Sequence, residues 1–99
     1  MSEPIDKASL TRLSWITELR RQGHRQCHGS GAAAGGKVCA MELLREMLGL
    51  QDLASYEAVG VHAGIGSHVH KIINMNDGRL GHRKHTFAEI ADVVEGWFK

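Results

Sequence analysis

The sequence predicts a small, mainly α domain with three principal helices and a short fourth, and three observations carry that prediction. Apolar residues recur at helical spacing in separate segments of the chain. The segments carry recognisable start and stop signals. The length of 99 residues, with 42% hydrophobic and 23% charged, suits one modest globular core and argues against a disordered chain. The C-terminal segment shows all this best. Thr86 followed three residues later by Glu89 fits a capping box, in which each side chain satisfies a backbone N–H at the helix start. Phe87, Ile90, Ala91, Val94, Trp97 and Phe98 then recur on one side, while Glu89, Asp92 and Glu95 point elsewhere. This helix is expected to anchor the core, because burying each such side chain is worth about 1.5–3 kcal/mol.

Taken in order, residues 1–8 read as a flexible leader containing Pro4, followed by one helical domain over 9–99. Ser9 suits the N-cap of a first helix with Leu10, Leu13, Ile16 and Leu19 on its apolar side and Trp15 beside them. Arg20 and Arg21 favour the negative end of that helix's dipole, and Gly23 can stop it. The glycine-dense stretch 24–37 reads as a flexible connector with a short extended piece around Gln26. A second helix is expected over 38–48, with Cys39, Met41, Leu43, Leu44, Met47 and Leu48 forming a broad apolar face opposite Glu42, Arg45 and Glu46. Gly49 with Leu50 after it fits a Schellman ending. One helical turn is allowed over 52–57. Residues 59–66 have the only strand-like composition, so a minor two-stranded β element is placed near 24–29 and 57–63. The short helix is expected over 67–75 with Val69, Ile72 and Ile73 inward, ended by Asn76, Asp77 and Gly78. Residues 79–85 form a basic loop before the capped helix. Trp15 and Trp97 are both expected to be substantially buried.

Composition removes several function classes. A net charge of +1 offers no global attraction to nucleic acid or anionic membrane. No apolar run approaches the roughly 20 residues a membrane span requires, and the first residues lack a signal-peptide core. Cys27 and Cys39 form no disulfide framework, although one bridge between them is allowed. A reduced, cytoplasmic protein without a membrane partner is the expectation.

Four constellations bear on chemistry. Residues 31–37 match G-x-x-x-x-G-K, but Val38 stands where a phosphate-binding loop needs Ser or Thr for Mg²⁺, and no buried strand precedes it. The seven histidines include His68-x-His70 and His82-x-x-His85, with His24 and His28 elsewhere. Zinc requires about four convergent ligands, so His82 and His85 are weak metal candidates, and no metal or other cofactor is expected. Cys39, at a helix start that lowers a thiol pKa, could serve a small cysteine-dependent hydrolase, yet its apolar neighbours suit a buried thiol. Residues 86–92 fit the first helix of a helix-turn-helix, but no recognition helix follows before Lys99. The basic runs 20–25 and 79–85 read as solvated loops, so nucleic acid is not the expected partner.

Trp15, Leu19, Arg20, Gln26 and Gly29, then Cys39 and Leu43, then Asn76 and Asp77, then Phe87, Ile90, Ala91 and Glu95 are spaced as in a group of small bacterial and phage proteins. Those proteins read W-x-x-x-L-R-S-G-x-Y-x-Q-G-x-G, C-C-L-G-V-L, L-N-D and S-F-x-x-I-A-x-x-I-E, and the chain resembles them over most of its length. It departs at His24, Val38, Met41 and Glu42, and 50–70 has no counterpart. The group has no established activity, so the resemblance supports the fold and implies no mechanism. The function expected is that of a non-enzymatic accessory or interaction protein of bacterial or phage origin, partnered by another protein or by itself. A metal-binding module, a nucleic-acid binder and a cysteine hydrolase are the alternatives. Asn76 and Asp77 are expected to serve the turn. The alternative is that Asp77, Gln26 and Arg20 converge on a polar binding site with Asn76 beside them.

Overall fold

The computed structural model describes residues 6–29, 32–50 and 55–98, with the backbone alone for 32–34. It is mainly helical: α1 (Lys7–Arg21), α2 (Ala40–Leu48), α3 (Tyr56–Val61), α4 (Val69–Asp77) and α5 (Phe87–Trp97) surround one hydrophobic core. α1 lies along α5, and α2 packs on α1, α3 and α4. Trp15, Leu19, Met41, Leu43, Leu44, Ile72, Phe87, Ile90 and Val94 are fully enclosed where these helices meet.

α5 begins as its sequence requires. Thr86 accepts from Glu89 N at 3.1 Å, and the Glu89 carboxylate accepts from Thr86 N at 3.0 Å, completing the capping box. α1 begins earlier than expected. Its N-cap is Asp6, whose carboxylate accepts from Ser9 N at 2.8 Å, so Ser9 sits within the first turn and Lys7 and Ala8 are helical. An aspartate three residues ahead satisfies that N–H with a full negative charge at the positive end of the dipole, which a serine could not. α1 ends at Arg21, and Gly23–Arg25 forms a 3-10 turn. At the end of α2, Gly49 has φ 66°, Gly49 N donates to Glu46 O and Leu50 N donates to Arg45 O, the paired bonds of a Schellman motif.

One expectation fails in an instructive way. Residues 59–66 hold no strand. Ser55 caps α3 by accepting from Ala58 N at 3.3 Å, and Gly60 lets Val69 and Ile65 approach where a Cβ would meet Val69 Cγ2 at 2.4 Å. The β-branched pair Val59 and Val61 mimics a strand in composition, and tertiary packing overrides that preference. The β element forms elsewhere, as β1 (Ala32–Ala33) antiparallel to β2 (Lys37–Val38), with Gln26 bridged in parallel to Val38. Trp15 is fully buried and donates its indole N–H to Ala40 O at 3.0 Å, whereas Trp97 is only partly covered and stacks on His68 at 4.2 Å. The short helix appears as a 3-10 turn, Gly66–His68, leading into α4. The start of the turn allowed over 52–57 lies outside the described residues; Tyr56 and Glu57 open α3.

Candidate functional site

Gln26, Asn76 and Asp77 come together, and Arg20 does not join them. Asn76 is the one fully buried polar side chain among the described residues. It stands in the last turn of α4, and its amide works in four directions. Its Oδ1 accepts from Ala40 N at 3.2 Å, at the first turn of α2, and from Gln26 Nε2 at 3.0 Å. Its Nδ2 donates to Cys27 O at 2.8 Å and to Asp77 Oδ1 at 2.9 Å. All the bonding capacity of the side chain is thereby used, which is what a buried amide needs to avoid a desolvation penalty.

Gln26 extends the network to α5. Its Nε2 also donates to His85 O at 2.7 Å, and its Oε1 accepts from Phe87 N at 3.1 Å, one of the helix-start donors that have no partner within the helix. Asp77 accepts from Gly29 N at 2.8 Å, and His28 Nδ1 meets Asn76 O. Three side chains, Gln26, Asn76 and Asp77, therefore fasten residues 26–29, the start of α2, the end of α4 and the start of α5 to one another. These bonds hold the four segments in place. Asn76 has no bonding capacity left, while the second carboxylate oxygen of Asp77 has Arg79 at 3.9 Å.

Arg20 lies on the outer seam between α1 and α5, where its guanidinium donates to Asp92 at 2.8 Å and to Glu95 at 3.3 Å. Those two carboxylates hold its pKa above the ordinary arginine value. This is a helix-to-helix clamp at the surface.

Cys39 is the N-cap of α2, its Sγ accepting from Glu42 N at 3.4 Å. Burial pushes the thiol pKa up, against the opposing pull of the Glu42 N–H and the Tyr56 hydroxyl. That is the reverse of what a nucleophilic cysteine needs. The Tyr56 hydroxyl donates to Glu42 Oε1 at 3.0 Å, and Arg45 lies over the Tyr56 ring at 4.6 Å, so the surroundings of the thiol are themselves tied down. Cys27 and Cys39 are not joined by a disulfide.

The histidines are dispersed. His68 stacks on Trp97, His70 pairs with Glu57 at 2.6 Å, and His85 Nδ1 faces Arg83 O at 2.8 Å. Among the described residues no three His, Cys, Asp or Glu side chains converge as metal ligands, so His82 and His85 gain no further ligand there. The first glycine of the G-x-x-x-x-G-K stretch lies outside the described residues. Lys37 lies in β2, and Arg25 donates to Gly36 O at 2.7 Å from outside. No helix among the described residues is long and apolar enough to cross a membrane.

What the polar clusters leave open is an apolar surface. Leu10 and Leu13 on α1 are each 51% exposed and Val61 is 67% exposed. Between the N-terminal half of α1 and the ends of α2 and α3 run two adjoining grooves of about 360 and 270 Å³, sharing Lys7, Thr11 and Leu48 in their walls. Sequence reasoning assigned Leu10 and Leu13 to the core because they fall at helical spacing with Ile16. Their exposure comes from α1 being apolar on both sides, a pattern that spacing alone does not resolve. No family model, curated protein or solved structure matches the chain.

Proposed function

We propose that the chain is a non-enzymatic accessory or interaction protein, working in the cytoplasm of a bacterium or as a phage product, and that it meets its partner through the outer face of α1. The observation that carries this reading is Leu10, half exposed in the wall of the groove it forms with Met47 and Leu48, with the exposed Val61 lining the adjoining groove. Exposed apolar side chains gathered around a groove are a common mark of an interaction site. The chemistry-bearing candidates support the same reading: Gln26, Asn76 and Asp77 are used in holding the fold, and the Cys39 thiol is buried with a raised pKa.

A photo-crosslinking amino acid in place of Leu10 tests it, with the same group in place of Asp92 as the control on a polar surface. Mass spectrometry after irradiation in cells should show a discrete adduct for position 10, either with a second copy or with one other protein, and none for position 92. If position 10 gives only solvent-quenched protein, the reading fails.

A further inference from the structure

The opposite end of α1 and α2 carries a different surface. Residues 24–29, which carry Arg25, and the basic segment 79–85 are 50 or more residues apart in the chain, yet they lie side by side: Gln26 donates to His85 O, and Arg79 donates to Gly29 O at 3.4 Å. Lys37 joins them, because Cys27 N donates to Val38 O at 3.0 Å. The carboxylates nearby do not cancel this charge evenly. Glu46 pairs with Arg25, and Glu89 pairs with Arg83. The Asp77 side chain is 8% exposed and turned inward onto Gly29 N and Asn76, leaving Arg79 only a 3.9 Å approach to it. Lys37 and Lys84 are exposed, and neither pairs with a carboxylate among the described residues. His24 and His28 add further exposed nitrogen groups.

The tip of the second segment is unusual in its own right. Leu80 is 85% exposed and has φ 52°, between Gly78 at 72° and Gly81 at 82°. A bulky residue held in the left-handed region is uncommon, and here the backbone turn places an apolar side chain outermost with cations on both sides.

We propose that this face docks on the phosphodiester backbone of nucleic acid, with Arg79, Lys84 and Lys37 meeting phosphates and Leu80 making an apolar contact to sugar or base. Charge complementarity selects that partner. The face offers mainly N–H donors spread along two adjacent loops, which suits a row of regularly spaced phosphates better than a single anion. Phosphate contacts give affinity without reading sequence, so the binding should be non-specific and strongly salt-dependent. The charge on the whole chain concealed this, since +1 is the balance of unlike faces. The proposal concerns a surface separate from the α1 groove and stands or falls without it.

The test is fluorescence anisotropy of the full chain with a labelled mixed-sequence duplex and the matching single strand, titrated with salt. Binding at low salt should weaken linearly in log–log form, with a slope of about −0.9 per phosphate contacted. Arg79→Ala with Lys84→Ala should flatten that slope by about 2, and Leu80→Ser should weaken binding without changing it. Lys71→Ala, on α4 beside Trp97, should leave binding unchanged. Circular dichroism establishes that each variant is folded. Absence of binding at low salt overturns the proposal. Equal loss in Lys71→Ala also overturns it, as does equal competition by polyglutamate or by vesicles containing anionic lipid, which would assign the face to a protein or a membrane.

Discussion

A single amide decides more of this structure than any charged group. Asn76 is enclosed, and each of its two polar atoms has two protein partners, drawn from residues 26–27, the start of α2 and the neighbouring Asp77. Asn76→Ala should cost about 3 kcal/mol or more, because Ala40 N, Cys27 O and Gln26 lose partners in a place water does not reach. Asp77→Ala removes two acceptor contacts at a more accessible position and should cost about 0.5–2 kcal/mol, the range for losing a local cap. Urea unfolding of both variants checks the order; an Asp77→Ala protein that unfolds like wild type would release Asp77 from its structural role. Cys39 makes a second residue-level prediction. Its thiol should be inert to a disulfide reagent in the native protein at neutral pH and react on unfolding, since burial both blocks access and raises its pKa. Rapid native labelling at Cys39 would reopen the hydrolase reading.

At the scale of elements, the legible parts of the fold were those whose signals are local. Thr86 with Glu89, Gly49 with Leu50, and the apolar rows of α2 and α5 each lie within one or two turns of chain, and each element formed where those signals placed it. α3 was illegible because its stability depends on Val69 and Ile65 packing over Gly60, a contact that composition does not announce. Gly60→Ala ordinarily gains helix propensity, yet here it should destabilise by about 1–3 kcal/mol, since the new methyl has to displace the Val69 side chain. A thermal melt of that variant checks the sign. α5 gives a pH prediction. Arg83, together with the Thr86 N–H, holds the Glu89 carboxyl at a pKa of about 2, below its ordinary 4.5. With the folded pKa depressed, the contribution of Glu89 is present above about pH 4.5 and fades as pH falls through about 2. Carbon-detected NMR titration should find Glu89 titrating near that value in wild type and closer to its ordinary one in Arg83→Ala. An unshifted carboxyl in wild type would mean the capping box and ion pair are not formed in solution.

For the molecule as a whole, the partners in the polar network are what sequence reading could not supply. Gln26 bonds to residues 50 to 61 positions away, and Arg20 turned out to clamp α1 to α5 instead of joining it, because side chains that look equivalent in a list are separated by the length of a helix turn and by which face they leave from. The same network makes a prediction about cooperativity. It connects the start of α2, the end of α4 and the start of α5, while Trp15 from α1 is sealed against α2 by its bond to Ala40 O, the residue whose N–H is held by Asn76. α2, α4 and α5 are thus tied into one network, and α1 is tied to α2 through Trp15. Loss of helix by far-UV circular dichroism and loss of the Trp15 environment by fluorescence should therefore follow one transition with one midpoint. Trp97, partly exposed on the surface, changes less and is replaced by Phe to isolate the Trp15 signal. Gln26→Ala should move both curves to lower temperature together, since it frees Phe87 N and His85 O at once. If fluorescence in that variant instead falls well before helix content does, α1 and α2 form a unit that survives separately from α5, and the network is an attachment between two parts rather than the centre of one.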